Sequence, residues 1–204
     1  MLGFAARRGY ARPMIFNDST SPATLLASRR SGKARDMVEP GPDAAQLRAM
    51  LTTAMRVPDH GKLAPWRFVV VPAGRRAALS AAMEAAYLAE KPDAGRAERE
   101  AVRGFAFEAP CLVVVLSRPE PGSHIPAWEQ QLSAGAATMQ LCNAAHAQGF
   151  VANWLTGWAA YAPGVAALFG DASARLAGFV FIGTPGKALD ERPRPDYDAV
   201  VSSW

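Results

Sequence analysis

Two uninterrupted apolar runs set the terms on which this chain can fold. Residues 110–116 read Pro-Cys-Leu-Val-Val-Val-Leu, and residues 176–182 read Leu-Ala-Gly-Phe-Val-Phe-Ile. Each predicts a strand. A strand with no polar alternate has no face left for water, so the 110–116 strand is covered on both sides. Such a sheet needs helices packed against it.

The helices announce themselves by period. Asp43 is a plausible N-cap, and Leu47, Met50, Leu51, Ala54 and Met55 follow on one face until Pro58. Residues 73–90 and 93–105 are rich in Ala and Arg/Glu pairs. The longest helix is expected over 127–148. Trp128, Leu132, Gly135, Met139, Cys142 and Ala145 form its stripe, and Gly149 is placed as its C′ residue. Ser21-Pro22 opens a short helix over 23–31 that ends in basic residues. Residues 33–42 read as a linker, 66–71 and 150–155 as strands, and 163–169 as a short helix. Strands and helices mix without strict βαβ alternation. The expectation is one α+β domain over 20–204, a central sheet flanked by helices, behind a loose extension over 1–19.

The composition suits this. Half of the 204 residues are hydrophobic and a fifth are charged, which excludes a disordered chain. The net charge of +4 is partly local: Arg7, Arg8, Arg12, Arg29, Arg30, Lys33 and Arg35 face one acid, Asp18, within the first 35 residues. No basic stripe is interleaved with aromatics, so nucleic acid is not an expected partner. No apolar run reaches the length of a membrane span, and no membrane is expected. The N-terminus lacks the hydrophobic stretch of a secretory signal, which leaves the cytoplasm as the expected location. Cys111 and Cys142 sit in apolar surroundings and predict buried free thiols rather than a disulfide. No Cys/His cluster has metal spacing.

Four clusters hold the residues suited to chemistry. Arg29-Arg30-Ser31-Gly32-Lys33 offers three cations and a hydroxyl, which match phosphate oxygens. Basic residues where a helix ends also simply complement its dipole. Arg56 to Phe68 is a helix end, a polar loop with His60, and a strand opening on Trp66. His60 taken alone also fits a structural histidine, and Trp66 a core residue. Gly149–Gly157 is a strand ending in Trp-Leu-Thr-Gly, able to offer backbone groups and a hydroxyl to a flat ligand, or only a buried strand and its turn. Gly183-Thr184-Pro185-Gly186-Lys187 reads as a turn with a lysine on its far side. There is no G-x-G-x-x-G, no P-loop and no G-x-S-x-G elbow. Glu108 and Glu129 are carboxylates with no readable partner.

In this order the four clusters resemble the nitroreductase family, most closely its small YdjA-like members. The resemblance runs from about Leu25 to Pro185. It rests on Arg29-Arg30-Ser31, on Met55-Arg56-Val57-Pro58-Asp59-His60 with Pro65-Trp66-Arg67-Phe68, on Pro126-Ala127-Trp128-Glu129-Gln130 with Ser133-Ala134-Gly135, and on Phe181-Ile182-Gly183-Thr184-Pro185. It implies a mostly antiparallel sheet and a homodimer with FMN sites at the subunit interface. It implies an oxidoreductase in which FMN takes hydride from NADH or NADPH, with a ping-pong reduction of a small organic acceptor such as a nitroaromatic or quinone. A non-catalytic FMN-binding or storage protein is the alternative. By the same resemblance Arg29, Arg30 and Ser31 hold the phosphate and ribityl end, with Lys187 near the phosphate. Lys33 lies near flavin N1 and O2, where a cation would stabilise reduced flavin. Arg56 and His60 reach the flavin from the partner chain, and Trp154, Leu155 and Thr156 lie beside the ring. No side chain of the protein is expected to be catalytic. Many members carry Asn-x-Gln before Pro-Trp; here those positions are Lys62 and Ala64.

Overall fold

The computed structural model describes residues 15–170 and 174–204. Helix α1 (Pro22–Ser28) opens on Ser21, which exchanges hydrogen bonds with Thr24 in a reciprocal cap. It stops at Ser28, three residues short of the expected end. Arg29 is already extended. The basic cluster therefore follows the helix instead of ending it. The expected linker holds a 3-10 turn (Ala34–Asp36) and a short strand, β1 (Met37–Val38). Helix α2 (Ala44–Ala54) starts at Asp43 as expected, with Gln46 completing a second reciprocal cap. Strand β2 (Trp66–Val70), helices α3 (Arg76–Glu90) and α4 (Arg96–Phe105), and strand β3 (Cys111–Ser117) come next. Helix α5 (Ala127–Ala147), strand β4 (Val151–Leu155), helices α6 (Trp158–Tyr161) and α7 (Pro163–Ala167), strand β5 (Arg175–Pro185) and helix α8 (Tyr197–Val200) complete the order.

The two apolar runs pair with each other, Cys111 opposite Ile182 and Val115 opposite Gly178. They form the centre of a sheet in the order β2-β3-β5-β4, antiparallel throughout. Strand β5 runs three residues beyond Ile182, so Gly183, Thr184 and Pro185 are strand and not turn. There β1 pairs with it, Met37 opposite Pro185 and Val38 opposite Thr184. A two-residue edge pairing is too short to leave a readable alternation.

Both faces of the sheet are covered, which is why its central strands have no polar alternate. Leu112, Val114, Leu116, Phe179 and Phe181 point to one side and pack with Leu79 and Met83 of α3 and with α6 and α7. Phe105 meets Phe179 and Phe181 edge-on at 5.0 and 5.2 Å. Cys111, Val113, Val115, Val180 and Ile182 point to the other side, against Met50 and Ala54 of α2 and Leu141 and Cys142 of α5. Both cysteines are buried and free. Helix α5 corrects part of the expected stripe: Trp128 and Leu132 are 67% and 54% exposed, whereas Cys142 and Ala145 are buried as expected and are joined in the core by Ala134, Ala137 and Leu141. Among the described residues, no helix is long and apolar enough to cross a membrane.

Candidate functional site

The extended chain after α1 sends successive side chains to opposite sides, and this divides the basic cluster. Arg29 turns toward α5. Its Nη1 donates to Ser31 Oγ at 3.2 Å, and it lies in the field of Cys142 and His146. It is half-buried, and it makes no ion pair with any described residue. Burial pushes the guanidinium below its ordinary value, and the like charges of Arg194 and Arg30 add to this. Arg30 turns the other way. Its Nε donates to the Asp190 carbonyl at 2.6 Å and lies 3.5 Å from a Glu191 carboxylate oxygen, so it ties down the C-terminal segment.

A cleft of about 210 Å³ opens between this segment and the end of β5. Arg30, Ser31, Lys33 and Lys187 line it, with Asp36 and Asp190 as the acids. Lys187 Nζ is 2.6 Å from Asp36 Oδ1, and that bond holds Asp36 below the usual carboxylate range. Lys33 is exposed. The structure thus gathers four of the residues read from the first and fourth clusters, although some 150 positions of sequence separate them.

Arg56 and His60 follow the end of α2, outside the lining of that cleft. Arg56 is exposed just beyond the helix end, and its side chain makes no hydrogen bond or ion pair with a described residue. His60 sits in a 3-10 turn (His60–Lys62), and its Nδ1 is 2.8 Å from Glu129 Oε2 at the start of α5. Glu129, without a readable partner in the sequence, therefore has one. Residue pairs 69 positions apart leave no local signal. Lys62 and Ala64 adopt positive φ, 57° and 48°. Neither residue joins the Arg30–Lys187 cleft.

Trp154, Leu155 and Thr156 occupy the end of β4. The Trp154 indole lies against β5, with Nε1 donating to the Ala177 carbonyl at 2.9 Å. This needs Gly178: a Cβ there would strike the indole Nε1 and sit 2.8 Å from the Leu155 carbonyl. Leu155 packs into the core on the α3 side, and Thr156 is exposed.

The donor set suits an anionic group. Three cations and a hydroxyl line the cleft, half-buried Arg29 bonds to that same hydroxyl from beside it, and among the described residues Arg29 has no carboxylate of its own. A partly buried cation of this kind is stabilised by a bound anion. Among the described residues, no group of three or more His, Cys, Asp or Glu could hold a metal ion.

Comparison with known proteins agrees with this fold. The family model described as "Nitroreductase family" matches residues 26–184. The Escherichia coli (strain K12) protein named "Putative NAD(P)H nitroreductase YdjA" is 36% identical over 162 residues, 79% of this chain and 86% of the relative. A nitroreductase-like family protein from Bacillus cereus superposes with a TM-score of 0.78, over 91% of this chain and 96% of that one, at 23% identity. A Desulfovibrio desulfuricans protein solved in complex with FMN gives a TM-score of 0.66 over 90% and 97%, at 22% identity. This chain belongs to the nitroreductase family.

Proposed function

We propose that this protein is an FMN-dependent oxidoreductase that uses NADH or NADPH to reduce a small organic acceptor, a nitroaromatic, quinone or similar molecule. Family membership makes it a nitroreductase-type oxidoreductase. One observation carries the cofactor reading furthest: half-buried Arg29, paired with the Ser31 hydroxyl and with no carboxylate among the described residues. Such a group calls for an external anion, and the FMN phosphate is one.

In this reading Arg29 and Ser31 hold the phosphate and the ribityl end, with Arg30 and Lys187 closing the cleft from the C-terminal side. Lys187 exchanges Asp36 for the phosphate or shares itself between them. Lys33 presents its charge to the pyrimidine side of the flavin. Trp154, with its indole fixed on Ala177, stands with Leu155 and Thr156 beside the ring. Arg56 and His60 are supplied to the partner's site, which makes the homodimer the working unit. Bound FMN supplies the redox chemistry, accepting hydride from the nicotinamide and passing electrons on. Donor and acceptor occupy one place in turn, a ping-pong order. A cytoplasmic setting belongs to the same proposal.

The test is the absorbance of the freshly purified protein, followed by NADH or NADPH without oxygen. Flavin bands that bleach, and return when a quinone or nitroaromatic is added, are the expected result. Bands indifferent to both nucleotides would leave a flavin-binding or storage protein. No bands after incubation with FMN would overturn the proposal.

A further inference from the structure

The loop that carries His60 is fastened with unusual thoroughness for an exposed connection. Two features of the loop itself define its shape. The Asp59 carboxylate accepts from the backbone N–H groups of Leu63 at 3.2 Å and Ala64 at 2.9 Å. Gly61, Lys62 and Ala64 all adopt positive φ, 75°, 57° and 48°. Two of these are not glycine, and such residues persist only where their surroundings dictate them.

The surroundings are the first two turns of α5 and the segment that leads into it. Ser133 Oγ donates to the Pro58 carbonyl at 2.6 Å. Ile125 stands against Gly61, 3.3 Å from where a Cβ would lie. Buried Gln130 holds Ile125 in turn: its Nε2 donates to the Ile125 carbonyl at 2.9 Å, and its Oε1 accepts from Glu120 N at 2.8 Å. The last contact is Glu129 Oε2 on His60 Nδ1. An incidental surface ion pair has no such frame around it.

We propose that Glu129 is the positioning residue of His60. This inference rests on the reading of His60 as a flavin contact. A carboxylate only accepts, so it keeps a proton on Nδ1 and fixes the plane of the ring. Nε2, on the opposite edge, is then the atom presented to the ligand, in one orientation and one tautomer. The loop strain and the Ser133 contact set where the ring sits; Glu129 sets which way it turns. A carboxylate that orients a functional imidazole is the second link of a chain whose loss weakens binding without touching the ligand.

Two measurements on the full-length protein separate this inference from the reading beneath it. The first is the ¹⁵N shifts of the His60 ring at alkaline pH, in the parent, Glu129→Ala and Glu129→Gln. The expected result is a proton on Nδ1 in the parent and in Glu129→Gln, whose amide oxygen still accepts, and a shift toward the Nε2–H form in Glu129→Ala. The second is the FMN dissociation constant. Glu129→Ala should weaken it about fivefold, the scale of a partly exposed pair. Glu129→Gln should restore most of the loss, and Glu129→Ala in a His60→Ala background should add nothing. An unchanged tautomer in Glu129→Ala, or parental FMN affinity there while His60→Ala binds weakly, would overturn the positioning role and leave the flavin contact standing. Parental affinity in His60→Ala would remove the underlying reading, and this inference with it.

Discussion

Arg29 and His146 lie in each other's field, and each meets burial differently. Arg29 keeps its charge and lacks a carboxylate among the described residues, so its cost in the FMN-free protein is recovered only when an anion arrives. Arg29→Ala should therefore weaken FMN binding about tenfold to hundredfold, the worth of hydrogen bonds to a charged group. The melting temperature of the FMN-free protein should barely move. Equal FMN affinity in variant and parent, measured by fluorescence titration, would sink the phosphate role. His146 solves the problem by staying neutral. Its Nδ1 is 3.2 Å from the Phe150 carbonyl, which only accepts, so that nitrogen carries the proton, and Nε2 has no hydrogen-bond partner among the described residues. Burial first, then the charge of Arg29, push its pKa down to about 4. The unfolded chain has a His pKa of about 6.5, so above that value both states are neutral and the full stability is present. As pH falls from there toward 4, only the unfolded state gains the proton, and about 3 kcal/mol is lost. Urea unfolding at pH 7, 6 and 5 should show this slope in the parent and not in His146→Gln. Parallel declines in both would assign the slope to other groups.

At the scale of the element, β5 is the strand on which the others depend. It pairs with β1, β3 and β4, and its register against β3 shifts between Val115 and Leu116. Gly178 sits at that irregularity with φ of 154°, under the Trp154 indole. Gly178→Ala forces a Cβ into the indole and the Leu155 carbonyl together, and should cost about 2 kcal/mol or more. Thermal unfolding followed by Trp fluorescence checks it; a parental melting temperature would show that β4 can move aside. Arg76 does comparable work between elements. Buried at 4% exposure, it donates to the carbonyls of Val71, Ala106, Ala109 and Pro110, joining α3 to the end of α4 and the entry of β3. The central strands were legible because both their faces are apolar, and α2 because Asp43 caps a periodic apolar stripe. The two-residue β1, the short α6 and the early stop of α1 were not, since each depends on partners distant in sequence. The site divides in the same way. The basic cluster at 29–33 reads locally, whereas the opposite headings of Arg29 and Arg30, the Lys187–Asp36 pair and the His60–Glu129 pair are products of folding.

The whole molecule leaves a question that its own surface helps to pose. Trp128 and Leu132 lie one turn apart on α5, both more than half exposed, and Met55 at the end of α2 is 54% exposed. Scattered apolar side chains are ordinary on a monomer. These belong to the two helices that pack together and that frame the His60 loop. In the proposed homodimer this is the face to be covered, and covering it would carry Arg56 and His60 toward the partner's flavin. Assembly and cofactor retention should then fail together. Leu132→Glu places a charge where the partner would press. An exposed substitution on a monomer changes stability by only about 0.5 kcal/mol, so any large effect must come through the interface. Sedimentation of the parent should give a dimer with FMN bound. The variant should run as a folded monomer whose FMN is lost on gel filtration. A dimer that survives Leu132→Glu would move the interface to another face. A monomer that keeps its FMN at parental affinity would mean that one chain completes the site, and would withdraw Arg56 and His60 from it.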